Sequence, residues 1–463
     1  MLEINPVAGL RVKTTPSIRI IGEQAVTIHQ PTPEGISQII KYLKSRSAAF
    51  RKIPACELIE IFDEVQKLWQ KGKYRQQYLT IMRDLVGHSE GLLELELDIS
   101  TSFLSALISR EFMKKELGSV ESVDQWVDNG YVRIRRHPLG FIFHNLAGNA
   151  SAVPTASIFS GMITKNVNLV KSPGDDPYFP ALFAESLKQV DKRVLDGLAV
   201  VHWPGSEAEY YDSVFSEKPD GIVHWGGKET LSAISAHAGK YGIKLIQHGP
   251  KISFVVVDVY EKDLGEKIAH DAVIWEQKAC LSPRVVFAQS NFAERLAEDI
   301  FAGFEKVATL FPKIVTPDLS SQILAKRQSY MLDVEVEGNG KVLYNKNSHS
   351  TVVYKKTPVT EADIDSCMDR FVIVNAVQSL NDVLDFLANP GLKAYLQTLG
   401  YNGNDDCFKE QATLLGFSHI TKIGQMNVHM PGYSHDGISN LVELTTLASD
   451  QKDCSGLAIL GHR

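Results

Sequence analysis

The sequence lacks several features that would assign it to a familiar class at once. No window approaches the roughly 18 consecutive apolar residues of a membrane-spanning helix, and the N-terminus has no apolar core of signal-peptide length. The cysteines show neither zinc-site nor disulfide spacing, at positions 56, 280, 367, 407 and 454. These absences predict a cytoplasmic protein in a reducing compartment, with no metal site and no transmembrane segment.

An excess of positive charge is also missing. The formal net charge is −7 over 463 residues, so the chain offers no general attraction for nucleic acid or for an anionic membrane surface. Hydrophobic residues make up 44% of the chain and charged residues 22%, which is typical of a folded globular protein and argues against long disorder. Because the chain is too long for one compact core, we expect two or three domains.

The periodicity of apolar residues changes along the chain. Strand-like segments come first, and helical spacing then runs from about Pro33 to Leu117. From Tyr131 onward, β-branched runs alternate with segments of helical length, which predicts an α/β fold with a doubly wound parallel sheet. The predicted strands are 140–146, 166–172, 198–203, 221–225, 244–247 and 253–257. Sheets of this kind bind ligands at the carboxyl ends of their strands.

The usual signatures of nucleotide binding do not accompany these strands. No G-x-G-x-x-G fingerprint follows any of them, and no Walker loop occurs, so an ordinary Rossmann dehydrogenase is disfavoured. Gly226 and Gly227 end one predicted strand, where backbone without side chains could approach a phosphate. Because paired glycines are also common in simple turns, this motif alone leaves both interpretations open.

One cysteine has a sequence context that suits a nucleophile. Cys280 follows a helix-like run and lies between Lys278 and Arg284, and neighbouring cations stabilise the reactive thiolate. The pattern therefore predicts that Cys280 is ionised at neutral pH. A small, unreactive core residue is the alternative, because cysteine is among the residue types most often buried.

Several segments together resemble the LuxC family of acyl reductases, which belongs to the aldehyde dehydrogenase superfamily. The similarity covers roughly four fifths of the chain, with matching order and spacing. Five segments carry it: HPLGFIFHNLAGNASAVP (137–154), TKNVNLVKSPGDDP (164–177), GIVHWGGKETL (221–231), HGPKIS (248–253) and WEQKACLSP (275–283). The resemblance implies an aldehyde dehydrogenase-like subunit with a cofactor domain, a catalytic domain and a small bridging sheet used to form homo-oligomers.

Periodicity and resemblance together divide the chain into regions. The predicted regions are a mostly helical N-terminal region (1–117), a bridging segment (118–137), a dinucleotide-binding domain (138–250), a catalytic domain that carries the cysteine (251–431) and a C-terminal oligomerisation segment (432–463).

The resemblance also assigns roles to individual residues. Cys280 matches the superfamily nucleophile, which would hold the acyl group as a thioester. Asn149 matches the side-chain amide that stabilises the oxyanion, with a turn or a helix N-cap as the alternative. Lys171 matches the lysine that binds the adenosine ribose of the cofactor, and Gly226 and Gly227 would lie beside the pyrophosphate.

Two positions bear on the choice of cofactor. NAD-preferring relatives commonly carry a glutamate where this chain has Gly174, so the resemblance admits NADPH, with NADH possible as well. Ser172 could donate to the additional phosphate, although hydration of its hydroxyl is an equal alternative. The superfamily glutamate that contacts the nicotinamide ribose has no clear counterpart around residues 369–371.

Hydrolytic aldehyde dehydrogenases carry a glutamate at or beside the position of Gln247. A glutamine cannot deprotonate water at neutral pH, so we expect the thioester to await reduction. His248 is a candidate proton donor to the aldehyde oxygen, with a hydrogen-bonded structural histidine as the alternative. His144 and His224 are expected to be wall residues of the crevice.

The function implied by the resemblance is NADPH-dependent reduction of an activated fatty acyl group to the fatty aldehyde, as in bacterial luminescence. The acyl group would come from acyl-CoA, or from acyl-transferase and acyl-protein synthetase partners. Two alternatives stay open: a reductase of short-chain or aromatic acyl-CoA, and a subunit that has lost catalysis and serves as a scaffold.

Overall fold

The protein is described by a computed structural model that covers residues 2–21, 24–86, 88–148, 150–346, 349–366, 369–428 and 430–452. No helix within these ranges is long and apolar enough to cross a membrane.

The chain begins with a small sheet and continues into a group of helices. The strands are β1 (Leu2–Ile4), β2 (Thr14–Ile21) and β3 (Gln24–Pro31), with β3 in the middle. The helices are α1 (Pro33–Phe50), α2 (Ala55–Gln70), α3 (Lys73–Val86), α4 (Glu90–Ser102) and α5 (Ala106–Leu117). Thr32 caps the first helix by accepting a hydrogen bond from the Gly35 N–H. The predicted helical stretch is therefore confirmed at both ends.

A doubly wound parallel sheet follows two bridging strands. The next elements are β4 (Val127–Asn129), β5 (Val132–Pro138), β6 (Phe141–Asn145), α6 (Ala152–Ile163), β7 (Val167–Lys171), α7 (Tyr178–Val190), β8 (Leu198–Val201), α8 (Ala208–Ser216), β9 (Gly221–Trp225), α9 (Lys228–Tyr241) and β10 (Lys244–His248). Strands β6 to β10 form a sheet in the order β10-β9-β6-β7-β8. The order reverses at β6, so the ligand-binding crevice lies at the carboxyl ends of β6 and its neighbours.

A second α/β unit follows. Its elements are β11 (Ile252–Val257), α10 (Leu264–Val273), β12 (Pro283–Gln289), α11 (Ala293–Leu310), α12 (Pro317–Tyr330), β13 (Gly340–Tyr344), β14 (Thr351–Lys355), α13 (Glu361–Ser366), β15 (Phe371–Val377), α14 (Leu380–Leu387), α15 (Pro390–Lys393), β16 (Leu396–Tyr401), α16 (Asp406–Leu415) and β17 (His419–Thr421). The sheet order is β13-β14-β15-β12-β11-β16-β17, and only the β13–β14 pairing among these is antiparallel. The predicted strands all form within two residues of their expected ends, and the last of them, β11, belongs to this sheet.

The C-terminal segment returns to the bridging strands. After α17 (Asn440–Glu443), β18 (Thr445–Gln451) pairs antiparallel with β5 along its whole length, and β4 pairs with the other edge of β5. The expectation that the C-terminus supplies a strand to the bridging sheet is confirmed.

The N-terminal helices share a core with the doubly wound sheet. Trp69 of α2 lies 4.9 Å from Phe179 of α7 between ring centroids, and its indole N–H donates to Ser186 Oγ at 2.9 Å. Buried side chains of both regions form one continuous hydrophobic cluster. Helices of the N-terminal region therefore pack against the doubly wound sheet and share its core.

The crossing of α10 and α11 gives a test of the fold. A Cβ atom on Gly303 would lie 2.7 Å from the Gly265 carbonyl oxygen. We therefore expect Gly303→Ala to destabilise the protein by about 1–3 kcal/mol, because the helices would have to separate. The measurement is the melting temperature, which should fall.

Gly239→Ala in α9 is the matched control. A Cβ at this position would meet no atom within 4 Å, and alanine is favoured in helices by about 1 kcal/mol over glycine. Its melting temperature should be unchanged or higher. A Gly303→Ala protein that melts with this control would contradict the close crossing of the two helices.

Candidate active site

Cys280 lies at a cavity between the two α/β units. It follows a 3₁₀ turn, Ile274–Gln277, that continues from α10, and it precedes β12. The cavity has a volume of about 380 Å³, and its walls come from α5, α6, the ends of β9 and β10, and the segment 433–441. A cavity of this size is in the range that binds small molecules.

The turn before Cys280 has an unusual backbone. Trp275, Glu276 and Gln277 have φ values of 61°, 47° and 64°. This left-handed conformation costs roughly 1–2 kcal/mol for each residue that carries a Cβ. Such strain persists only where surrounding contacts over-determine the backbone, and a buried group holds each of the three residues.

Glu276 is held by two buried cations. Its carboxylate accepts hydrogen bonds from Arg370 Nε at 2.9 Å and Arg370 Nη2 at 2.5 Å, and Lys313 Nζ lies 2.8 Å away. All three side chains are at most 2% exposed. Burial opposes ionisation, but Lys313 and Arg370 outweigh it and lower the pKa of Glu276 to about 2. The group is therefore a buried, fully ionised clamp on the turn.

The residues on either side of Glu276 are also anchored. The Trp275 N–H donates to Glu96 Oε1 of α4 at 2.9 Å. The Gln277 amide accepts from the Phe371 N–H and donates to the Phe371 carbonyl, both at 2.8 Å. The turn before Cys280 is thus tied to the N-terminal helices and to the first residue of β15.

The predicted ionisation of Cys280 is wrong. Burial, together with the nearby Asp436 carboxylate, raises the pKa of its thiol to about 12. Lys278 is exposed, where water screens its charge, and Arg284 donates to the Ile364 carbonyl at 3.3 Å. Adjacency in sequence did not bring either cation to the sulfur.

A histidine that the sequence analysis did not assign lies beside the thiol. His435 Nε2 is 4.0 Å from Cys280 Sγ. Burial lowers the pKa of His435 to about 4, so the ring is neutral at neutral pH. The Gln397 amide nitrogen is assigned 3.1 Å from Nε2, and the Tyr433 hydroxyl lies 3.0 Å from Nδ1. With this amide orientation we assign the proton to Nδ1, so that Nε2 is an acceptor. No local pattern links positions 280 and 435, so only the fold reveals the pair.

His248 belongs to the same wall of the cavity but has different contacts. Its Nδ1 is 2.8 Å from Asp436 Oδ2 and its Nε2 is 2.9 Å from Asn440 Oδ1. Its ring stacks on Trp225 with centroids 3.8 Å apart. Burial works against ionisation of Asp436, yet the neighbouring His435 and the hydrogen bond from His248 hold the pKa of Asp436 below its usual value. Both ring nitrogens of His248 are engaged, which supports the structural interpretation of this residue.

The structure places Gln247 away from the cavity. Side chains alternate along β10, so His248 is buried at the site while Gln247 is exposed on the other face. The idea that Gln247 replaces a catalytic glutamate next to the thiol is therefore wrong for its side chain.

The predicted cofactor residues meet at one edge of the doubly wound sheet. Lys171 ends β7, its Nζ donates to the Ser172 carbonyl at 3.3 Å, and burial lowers its pKa to about 8. Next to them, a Cβ on Gly174 would meet no atom within 4 Å. Gly226 and Gly227 follow β9 and line the cavity, and Gly227 precedes α9. Free N–H groups at a helix start and an open strand end fit a dinucleotide.

Two histidines and one asparagine complete the set of predicted site residues. His144 is buried between Ser157 and Asn168, at 2.8 and 3.0 Å, and burial lowers its pKa to about 4. His224 contacts the Asn145 amide at 2.9 Å, and its Nε2 has no hydrogen-bond partner among the described residues. Neither histidine is among the residues that line the cavity, so their expected place in the wall of the crevice stays a prediction. Asn149, the predicted oxyanion donor, lies outside the described residues.

One group of side chains could in principle take a metal ion. The ligand atoms of His248, His435 and Asp436 all lie within 4.8 Å of one another. Nδ1 of His248 and Oδ2 of Asp436 already satisfy each other at 2.8 Å, so hydrogen bonding accounts for this arrangement.

The fold and the site together define the class of protein. A doubly wound sheet, a second α/β unit with a cysteine at the shared cavity, and a bridging sheet form the aldehyde dehydrogenase fold. Aldehyde dehydrogenase 21 of Physcomitrella patens superposes with a TM-score of 0.74 over 98% of this chain and 99% of its own length, at 12% identity.

The sequence match is more specific than the fold. A family model described as acyl-CoA reductase (LuxC) matches residues 51–447, and the chain belongs to this family. A long-chain acyl-protein thioester reductase of Photorhabdus laumondii is 24% identical over 446 residues, which cover 93% of this chain and 88% of the relative. A protein of the same description from Vibrio harveyi is 24% identical over 396 residues, 83% of this chain and 80% of its own.

The protonation of Cys280 is directly testable. Because its pKa is raised to about 12, the thiolate fraction and the rate of alkylation by iodoacetamide should climb about tenfold per pH unit from pH 7 to pH 10. Brief pulses followed by peptide mapping measure this rate, with the exposed Cys407 as the internal reference. A rate at Cys280 that levels off below pH 8 would show that the thiol is ionised at neutral pH after all.

Proposed function

We propose that this protein reduces a long-chain acyl thioester to the fatty aldehyde through a thioester on Cys280, with NADPH as the reductant. The observation that carries the proposal is the neutral thiol of Cys280 4.0 Å from the unprotonated Nε2 of His435, at the wall of a largely apolar cavity.

In the first step, Cys280 takes the acyl group from its donor. The sulfur attacks the acyl carbonyl while His435 Nε2 accepts the thiol proton. The 4.0 Å between Cys280 Sγ and His435 Nε2 is a distance that commonly shortens when substrate binds. The new bond joins Cys280 Sγ to the acyl carbon, and the bond from that carbon to the donor sulfur breaks. His435 then returns the proton to the departing thiolate, so it finishes the step neutral. Asp436 Oδ2, 3.8 Å from His435 Nε2, stabilises the transient imidazolium.

In the second step, the thioester is reduced. A nicotinamide cofactor, when bound, would supply the hydride, and the residues that would hold it are Lys171, Ser172, Gly226 and Gly227. Hydride addition to the thioester carbon would give the hemithioacetal oxyanion, which collapses to the aldehyde as the carbon–sulfur bond breaks. The Cys280 thiolate then takes a proton from water. Asn149 and the Cys280 backbone N–H are the donors that we assign to the oxyanion of both steps, and one such donor supplies about 3–4 kcal/mol. The open space at Gly174 supports NADPH, because a carboxylate there would repel its phosphate.

Water must stay unreactive while the thioester waits. Asp436 is a weak base, since its pKa is lowered and its Oδ2 is already bonded to His248. Gln247 carries no base and lies on the opposite face of its strand. Neither Asp436 nor Gln247 therefore supplies a strong base for hydrolysis.

The shape of the cavity supports a long acyl chain over a short one. One face of α6 lines it with Ala152, Val153, Ala156 and Phe159, at the spacing of successive helical turns. Phe103 and Phe112 add an aromatic pair with centroids 6.3 Å apart. We infer that the acyl donor is CoA or an acyl-protein partner such as a transferase or synthetase, in a homo-oligomer in the cytoplasm. An intact thiol and acceptor argue against a non-catalytic scaffold.

Acyl transfer can be tested without the cofactor. Wild type incubated with radiolabelled tetradecanoyl-CoA should acquire label that hydroxylamine removes, and Cys280→Ala should acquire none. We expect His435→Gln to slow labelling by about 10²–10⁴-fold, the usual contribution of a general base. His137→Gln, an exposed histidine on β5, is the control and should label at the wild-type rate. Label that survives in Cys280→Ala would contradict the assigned nucleophile.

Chain-length preference tests the assignment of the apolar wall. Ala156→Phe should exclude several methylene groups, each worth about 0.8 kcal/mol of burial, and lower kcat/KM for tetradecanoyl-CoA at least about tenfold relative to hexanoyl-CoA. Ala156→Ser, which adds little volume, should keep the wild-type ratio. An unchanged ratio in Ala156→Phe would mean that the acyl chain lies elsewhere.

A further inference from the structure

Basic side chains from three parts of the chain converge beyond the carboxyl ends of β7 and β8. Lys171 is the last residue of β7, and His202 directly follows β8. Arg19 comes from β2 of the N-terminal hairpin, and its Nη1 donates to the Gly174 carbonyl at 2.6 Å. The hairpin therefore reaches the part of the sheet edge where we place the cofactor ribose.

His202 is a buried member of this cluster whose ring nitrogens could bind a ligand. The residue is 3% exposed, and neither ring nitrogen has a partner of hydrogen-bond geometry among the described residues. A buried polar group left in this state costs about 1–3 kcal/mol. Burial, aided by the charges of Lys171 and Arg19 and opposed by the Ser172 backbone, lowers the pKa of His202 to about 3. The charges of Lys171 and Arg19 therefore both lie close enough to the His202 ring to affect its protonation.

Lys171 gives the same indication. It is 5% exposed, and within the described ranges no carboxylate forms an ion pair with it. Its Nζ has only the Ser172 carbonyl at 3.3 Å and the face of Trp203, 5.7 Å from the ring centroid. A buried ammonium group without a counter-ion is costly unless an anion joins it. The cluster therefore has the composition of an anion-binding site.

We propose that Arg19, Lys171 and His202 form a subsite for a phosphate monoester on the ribose of an adenosine diphosphate ligand. The proposal rests on the proposed function, because the cofactor would bring that ribose to the end of β7. In doubly wound sheets the residue after the second strand contacts the ribose hydroxyls. A guanidinium fork and an ammonium group are the usual partners of phosphate, and a neutral imidazole can donate one further N–H.

Arg19 is the part of this subsite that family membership does not supply. It precedes the residues matched by the family model, 51–447, and it comes from the separate N-terminal sheet of β1 to β3. Its guanidinium is partly accessible and has five N–H donors, one of which reaches Gly174. The remaining donors are positioned to meet a ligand at the open space beside Gly174.

Two ligands of the proposed reaction carry this chemistry. NADPH has a phosphate on the 2′-carbon of its adenosine ribose, and CoA has one on the 3′-carbon. The fragments 2′,5′-ADP and 3′,5′-ADP present each phosphate alone, and 5′-ADP lacks both, so calorimetric titration of the three fragments reports on the subsite without any turnover.

Wild type should bind 2′,5′-ADP or 3′,5′-ADP about 10- to 100-fold more tightly than 5′-ADP, as charge-assisted hydrogen bonds predict. The preferred isomer identifies NADPH or CoA as the source. Arg19→Gln should lose most of this preference while 5′-ADP binding stays unchanged, and Arg19→Lys should retain part of it. Arg11→Gln, an exposed arginine of the same region, is the control. Equal affinity of wild type for all three fragments would overturn the proposal, as would an Arg19→Gln protein that keeps the full preference.

The proposed function can fail independently. At saturating tetradecanoyl-CoA, Arg19→Gln should still acquire acyl label on Cys280, because the proposed subsite would hold a ribose phosphate and not the reacting thioester. A wild-type protein that shows the phosphate preference but no acyl label would retain the subsite and reject the reductase mechanism. Acyl labelling of Cys280 without a preference for the phosphorylated fragments would support the reductase mechanism and reject the subsite.

Discussion

The buried ion pair between Glu276 and Arg370, with Lys313 beside it, is the interaction on which the site depends. Three consecutive left-handed residues cost several kcal/mol together, and removal of one partner from a buried pair costs about 3–5 kcal/mol. The pair therefore holds a turn that would otherwise relax. Through Gln277 the turn is joined to β15, and through Trp275 it is joined to α4, so the position of Cys280 depends on the N-terminal helices and the catalytic sheet at once.

The same burial that makes the clamp necessary also sets the chemistry of the thiol. A low-dielectric site disfavours a thiolate and an imidazolium alike, so Cys280 and His435 are both neutral at rest. In the proposed mechanism, charge develops only when an acyl carbonyl binds and the thiol proton moves to His435, and the Asp436 carboxylate, whose pKa is lowered, would stabilise it. The resting thiol is thereby protected from other electrophiles, in contrast to a cysteine activated by exposed cations.

Local patterns predicted the elements well and the contacts of the site unevenly. The helices from Pro33 and the strands of the doubly wound sheet follow from apolar periodicity, which is a property of neighbouring residues. Lys171 was assigned from the family resemblance and Gly226 from its place after a predicted strand, and the structure puts both at the carboxyl ends of parallel strands. The ionisation of Cys280 and the position of Gln247 were predicted wrongly, because the first depends on burial and the second on which face of β10 meets the cavity.

The sequence by itself determined the α/β architecture and the family, and it singled out Cys280 as the candidate nucleophile. These conclusions depend on periodicity and on blocks of residues that match in order. Only the tertiary structure decided that His435 faces Cys280, that Arg370 reaches Glu276 and that Arg19 reaches Gly174. These pairs are separated by 155, 94 and 155 positions. Interactions over such separations depend on how sheets and loops pack, and packing is a property of the whole folded chain.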